Sequence, residues 1–542
     1  MGDFFRNLVS ARQWRRWLGR LVAALGTDRW AEGIHRSRRY KWWVLGVNQI
    51  AILMALLDAS IVNIAMPTIL AELNTDLVLV EWVVTGYLLV ITTTLLIFGR
   101  LGDMVGRKKV FTVGFLVFTL GSGLSGASAN VWELIGFRLL QGVGAAMLLA
   151  NNVAIITAVF PRQQRGLALG INGITAGVSV ALGPTLGGFM VDYFGWGSIF
   201  FLNVPIGVIG SLAALLILDE RTVSVGQQRG GQRFDLLGAG ISIVALTALL
   251  IALNAGPEVG WTSFTVLALF VGFLVLMIVF VVVEARVEQP MVNLALFRRA
   301  DFSAGLVAGL FGFMGIAANA FLMPFYLQLV LGYPAVVAGL LMSPTSFAAL
   351  VVSPISGWTS DRIGYRLLTT VGIAIFAVAL GLLSTLTVGT HYLYVLYWLL
   401  LLGFGWGLFL APNNSSIMGT VPRDQLGMGS GLLALVRNLG LVVGVAVTNA
   451  FLLSSIASVS GQASLGALEL SKVSGAEDRD LLLAFDRGLR EAYLAAAIFA
   501  AIAVPVSFIR RGPLIPSAAQ LQGRPGTAGS DPGESADSGR RR

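Results

Sequence analysis

Two charges stand where charges are costly. Asp58, in "LDASIVNIAMPTI" (residues 57 to 69), and Arg138, in "FRLLQGVGAA" (residues 137 to 146), each interrupt a long apolar run. A carboxylate in such a place can bind and release a proton, whereas a guanidinium stays charged and must find a partner or water. The remaining reactive inventory is small. There is no cysteine, the only histidines are His35 and His391, and no nucleotide loop or nucleophile triad is present, so thiol chemistry, a metal centre, ATP-driven work and enzymatic catalysis all lack their residues.

The elements that position these charges follow from composition. With 56% hydrophobic and only 12% charged residues, against roughly 25% charged in a soluble domain, the chain reads as an all-α polytopic membrane protein. Windows of about 20 apolar residues can each span the bilayer as a helix. Fourteen occur, near 42 to 66, 78 to 98, 109 to 129, 132 to 157, 166 to 190, 198 to 218, 236 to 254, 262 to 283, 302 to 329, 335 to 356, 367 to 387, 392 to 416, 427 to 455 and 489 to 509.

Basic residues orient them. With both termini cytoplasmic, 31 of the 37 Lys and Arg fall on the cytoplasmic side, four (Lys472, Arg479, Arg487 and Arg490) lie on the outside in or just after the outer loop 456 to 488, and Arg138 and Arg437 lie inside helices. The net charge of +9 is thereby explained by topology, with no nucleic-acid partner. Residues 1 to 41 form a basic arm in which Trp14, Trp17, Leu18, Leu21, Val22 and Leu25 share one helical face opposite Arg12, Arg15, Arg16 and Arg20, the profile of a helix lying on an anionic leaflet. Residues 510 to 542 read as a disordered cytoplasmic tail.

An internal repeat organises the rest. Gly99, Asp103 and Gly106 in "GRLGDMVGRKK" recur as Gly357, Asp361 and Gly364 in "GWTSDRIGYR", each displaced by 258 residues. Two homologous six-helix halves, 42 to 218 and 301 to 509, are the simplest reading, with helices 7 and 8 inserted between them in 219 to 300. Gly99 and Gly106 are expected to permit tight turns, Asp103 to cap or pair at a helix end, and Arg107, Lys108 and Lys109 to face the cytoplasm. Among the carboxylates, Asp58 alone lies well inside, roughly 24 Å from the start of helix 1, and Arg138 lies at a similar depth.

These motifs together resemble the major facilitator superfamily, and in particular its fourteen-helix drug:proton antiporters. "LDASIVNIAMPTI" is similar to that family's helix 1 signature, "GRLGDMVGRKKV" to its loop motif, "FRLLQGVGAA" to its helix 4 motif and "LGPTLGG" (Gly183, Pro184, Gly187 and Gly188) to the helix 5 motif of antiporters; "FLNVPIG" and "RNLG" also fit. Ser179 and Gly197 depart from the usual pattern, which carries Gly and Arg there.

The resemblance implies a proton-coupled exporter of amphipathic or cationic drugs in the cell membrane, working as a monomer on the proton motive force without a cofactor. Its alternatives are a dedicated exporter of one metabolite or lipid, or a solute symporter. It implies that helices 1 and 4 line the cavity, so that Asp58 and Arg138 pair, directly or through water, and carry the proton coupling. The two loop motifs (Gly99, Asp103, Gly106 and Arg107; Asp361 and Gly364) become cytoplasmic latches. Asn63, Gln141, Asn151, Asn319, Gln328, Asn413 and Arg437 are candidates for the cavity wall, with Asn152, Asn172, Asn414, Phe321, Tyr326, Phe404 and Trp406 beside them.

Overall fold

The structure, a computed structural model, describes residues 37 to 510 except 38, 76, 225–233, 288–289, 334, 388 and 461–478. The amphipathic arm and the tail from residue 511 lie outside the described residues. The long helices are α1 (Tyr40–Glu72), α2 (Leu77–Val105), α3 (Arg107–Gly126), α4 (Val131–Val159), α5 (Arg165–Phe194), α6 (Asn203–Ile217, preceded by the turn Ser198–Phe201), α7 (Leu236–Val259) and α8 (Phe264–Arg286). They continue with α9 (Ala300–Phe325), α10 (Ala335–Ile363), α11 (Arg366–Leu383), α12 (Tyr392–Thr420), α13 (Leu426–Ser460) and α14 (Arg479–Phe508).

Thirteen helices among the described residues are long and apolar enough to cross a membrane, against the fourteen read from sequence. The remaining segment, 166 to 190, lies in α5, a helix of 30 residues packed along α1 and α10. Several boundaries move. α1 continues through Pro67 to Glu72, which puts Asp58 nearer the middle of its helix than the sequence estimate did. α14 starts at Arg479 instead of near 489, and α13 runs on to Ser460, so the outer loop is shorter than expected. The exposed pair Arg487–Glu491 shows the reason: helical turns in water need no apolar run and are invisible to hydropathy.

The duplication is written in the helix ends. α2 and α10 are both 29 residues long, as are α4 and α12. Two bundles result, α1 to α6 and α9 to α14. They meet where α2 packs on α13 and α5 on α10. α7 lies against both α2 and α13, while α8 packs on α7 and turns most of its strongly apolar surface outward. Prolines interrupt the backbone ladder inside α9, α10, α12 and α14, and in α10 Ser343 Oγ donates to the Leu340 carbonyl that Pro344 leaves free.

At the end carrying the basic loops the halves touch backbone to backbone. A Cβ placed on Gly99 would come within 2.5 Å of the Gly427 carbonyl oxygen, and one on Gly166 within 2.2 Å of the Gly357 carbonyl oxygen. Gly170 meets Ser353 and Pro354 in the same way, and Gly431 meets Leu95. Gly99 therefore serves close approach inside α2 and makes no turn; Gly106 and Gly364, at φ 117° and 92°, make the turns. Nearer the other end, a Cβ on Gly177 of α5 or Gly339 of α10 would meet nothing within 4 Å. The halves are closed at the basic end and looser beyond it.

This closure is directly testable, because the natural chain has no cysteine. With Thr92→Cys as a reporter on the seam, adding Gly357→Leu is expected to wedge α10 off α5 and raise thiol labelling from the basic side several-fold. Unchanged labelling would contradict the closed arrangement.

Candidate functional site

Asp58 and Arg138 meet directly. Arg138 Nη1 donates to Asp58 Oδ2 at 2.5 Å, and both side chains are fully buried. Gln141, one turn along α4 on the same face, donates from Nε2 to Asp58 Oδ1 at 2.8 Å and accepts from Arg138 Nη1 at 2.8 Å. From the start of α6, Asn203 Nδ2 donates to Asp58 Oδ1 at 2.8 Å and to Ser122 Oγ on α3 at 3.2 Å. Arg138 Nε donates to the Val83 carbonyl of α2 at 3.0 Å, and its guanidinium lies 4.0 Å from the centre of the Tyr87 ring. Tyr87 in turn donates to the Ala55 carbonyl on α1.

Five helices thus contribute to one dry ionic cluster. Three side-chain donors face the carboxylate, which lies against the buried guanidinium as its counter-charge. One atom is left over: Arg138 Nη2 has no hydrogen-bond partner although it is buried. Gln141, read as a cavity residue, belongs to this cluster. Asn203, Tyr87 and Ser122 were missed. Asn203 sits in "FLNVPIG", but at a helix start it reads as a boundary, and Tyr87 lies in an apolar run with no signal at all.

The loop motifs form a second site, reciprocal between the halves. Asp103 accepts from the backbone N–H of Gly427 at 2.7 Å and of Met428 at 2.8 Å, in the first turn of α13. Asp361 accepts from Gly166 N–H at 3.1 Å and Leu167 N–H at 3.3 Å, in the first turn of α5. Each carboxylate satisfies orphan donors and complements the positive end of a helix in the opposite half. Arg107 is the correction here. It is wholly buried instead of facing water, because Asp103 holds it at 2.8 Å while it donates to the carbonyls of Val223 and of Arg423 across the seam. Its repeat counterpart is Tyr365, and among the described residues Asp361 has no ion pair.

The remaining candidates divide. Asn151 is tied to the Phe98 and Met147 carbonyls, Asn319 accepts from Tyr493, and Asn413 donates to the Gly305 carbonyl and accepts from Arg510. These amides are spent on packing within one half, as buried amides must be. Asn152 likewise bonds Asn48, and Trp406 packs among Phe313, Phe376 and Phe409 inside the second bundle. Asn63 is exposed on α1, and Gln328 lies in a π-helical turn, its side chain outside the described residues. In α5, Gly183 lets α1 approach at Ser60, Gly187 is buried, Gly188 meets nothing within 4 Å, and Pro184 continues the helix. Arg510, read as tail, is buried in the second bundle on Ser416 and Asn413. Arg437 is half-buried, with a single hydrogen bond, to Asn438. No group of metal-ligating side chains occurs among the described residues.

The cluster makes a stability prediction. Arg138→Leu strands a buried carboxylate and is expected to destabilise the purified protein by about 3–5 kcal/mol, whereas Asp58→Asn combined with Arg138→Leu should recover most of that loss. Thermal unfolding of wild type, both single variants and the double variant in detergent checks it; an additive double variant would refute the pairing.

The geometry has known counterparts. The sequence matches the family model described as Major Facilitator Superfamily over residues 50–445. It is 34% identical over 418 residues to the riboflavin transporter RibZ of Clostridioides difficile, covering 77% of this chain and 90% of that one. It is 33% identical over 404 residues to the multidrug resistance protein Stp of Mycobacterium tuberculosis, covering 74% of each. The structure also superimposes on that of the human organic anion transporter MFSD10 with a TM-score of 0.59, covering 86% of this chain and 99% of the other; at 14% identity that likeness speaks for the fold alone. By sequence match, helix order and paired halves, the chain is a multi-pass membrane protein of the Major Facilitator Superfamily.

Proposed function

We propose that the chain is a proton-coupled exporter of amphipathic compounds that works by alternating access in the cell membrane, with both termini cytoplasmic. The observation that carries the reading is the Asp58–Arg138 pair, sealed inside the first bundle. Protonating Asp58 would convert an acceptor oxygen into a donor facing one guanidinium and two amide donors, so proton uptake must rearrange the cluster. The pair then acts as a switch. With the basic end closed, water entering from the looser end admits a proton; the neutral acid releases Arg138, and the strain on α1, α4 and α6 is relieved as the halves rock. Opening at the basic end breaks the Asp103 and Asp361 contacts, whose donors water can then satisfy. Proton loss to the cytoplasm restores the pair.

An amphipathic cargo fits the apolar helices at the seam, and the likeness to a multidrug resistance protein supports breadth. The expectation of a cationic cargo rested on an available carboxylate. Asp58 is not available, being fully engaged by three side chains. A second reading, one dedicated compound, is favoured by the likeness to a riboflavin transporter.

Proteoliposomes with an imposed pH gradient test the proposal. Wild-type protein is expected to move several unrelated amphipathic dyes against their gradients and to stop when the pH gradient is collapsed. Asp58→Asn should abolish gradient-driven movement while leaving dye exchange at equal concentrations. Transport indifferent to the gradient would overturn proton coupling, and movement of a single compound would select the dedicated transporter.

A further inference from the structure

Of the arginines buried or half-buried in or beside the bundles, Arg100, Arg165 and Arg366 lie near helix ends at the side of the basic loops. Arg107 and Arg138 have carboxylate partners, and Arg510 is held by Ser416 and Asn413. Arg437 stands apart. It lies about 16 Å along α13, the helix that packs on α2 and α4 of the opposite half. Its neighbour Asn438 reaches across that seam to Thr92 of α2 at 3.4 Å. Arg437 itself makes one hydrogen bond, Nε to Asn438 Oδ1 at 3.3 Å, and among the described residues it has no carboxylate within ion-pairing distance. Its Nη atoms are not among the buried polar atoms left without a partner, and the residue is half-buried on a helix that lines the seam.

A guanidinium at mid-membrane with no counter-ion is costly unless it faces water or awaits a partner. The geometry points to Arg437 as an anion-recognition site on the transport path: among the amphipathic compounds carried, it binds those with a carboxylate, phenolate or enolate oxygen. This rests on the exporter reading above and names its substrate class. Two observations support it besides the missing counter-ion. The carboxylate that would attract a cation is sealed against Arg138, so the charge exposed at the seam is positive. Tyr87, stacked on Arg138, lies on α2, the helix that α13 packs against, so the anion site and the proton site border the same helix. The planar fork of Arg437 matches two oxygens of a carboxylate or a keto-enolate, which a lysine matches poorly. Exchange of an anion for an incoming proton carries net positive charge inward, so the membrane potential adds to the pH gradient as a driving force for export.

Two dyes on one xanthene scaffold, anionic fluorescein and cationic rhodamine 6G, provide the test in the same proteoliposomes. Wild-type protein should export both down the imposed proton gradient, fluorescein faster when the membrane potential is also imposed. Arg437→Gln should raise KM for fluorescein about tenfold or more while rhodamine 6G stays within about twofold, and Arg437→Lys should recover part of the loss. Equal loss of both dyes, unchanged fluorescein transport, or a wild-type protein that moves rhodamine 6G but not fluorescein would overturn the anion site and leave the exporter intact. Wild-type protein that moves neither dye under a gradient would overturn both readings, and Asp58→Asn, which should stop gradient-driven transport of both dyes alike, separates loss of coupling from loss of recognition. Fluorescein binding by polarisation to purified Arg437→Gln, whose thermal unfolding should match wild type, covers the case of a variant that inserts poorly: tenfold weaker binding upholds the site and unchanged binding refutes it.

Discussion

A single carboxylate placed among apolar helices constrains the whole first bundle. Asp58 cannot remain ionised in a dry interior without partners, and it takes three of them, from α4 and α6, while Arg138 takes its remaining contacts from α2. Because every contact is short and buried, the five helices that contribute to the cluster cannot slide independently. The bundle therefore behaves as one body. Any event that changes the charge of Asp58 is felt by α1, α2, α3, α4 and α6 together.

The contacts between the halves obey a different rule. Asp103 and Asp361 hold helix N-termini through backbone donors at the basic end, where opening would let water replace each lost bond. Glycines at the same level remove the side chains that would keep the surfaces apart. Rigid bundles joined by replaceable contacts are what a rocking mechanism requires. The repeat also has an asymmetry: Asp103 is fixed by Arg107, whereas position 365 carries Tyr, so the two latches differ in how firmly their carboxylate is held.

Asparagine proved ambiguous for a physical reason. In lipid, an amide that bonds a neighbouring helix's carbonyl and an amide that waits for cargo occur in the same kind of apolar run. Asn151, Asn319 and Asn413 turned out to be of the first kind. Asn203 turned out to hold the ionic cluster, though its place at a helix start in "FLNVPIG" reads as a boundary and gives no sign of that role. The pairing of Asp58 with Arg138 was within reach because depth can be counted along antiparallel helices at a known rise.

By itself the sequence determined the class, the number of bundles and the position of the costly charges. Hydropathy, basic loops and the 258-residue repeat are local or periodic properties, set before any helix meets another. What only the tertiary structure decided is which polar groups meet: that Gln141 and Asn203 complete the Asp58 site, that Arg107 and Arg510 turn inward, that Gly99 serves contact instead of a turn, and that Arg437 finds no counter-ion among the described residues. These depend on the rotation and register of one helix against another, which hundreds of small packing contacts set jointly and no single segment encodes.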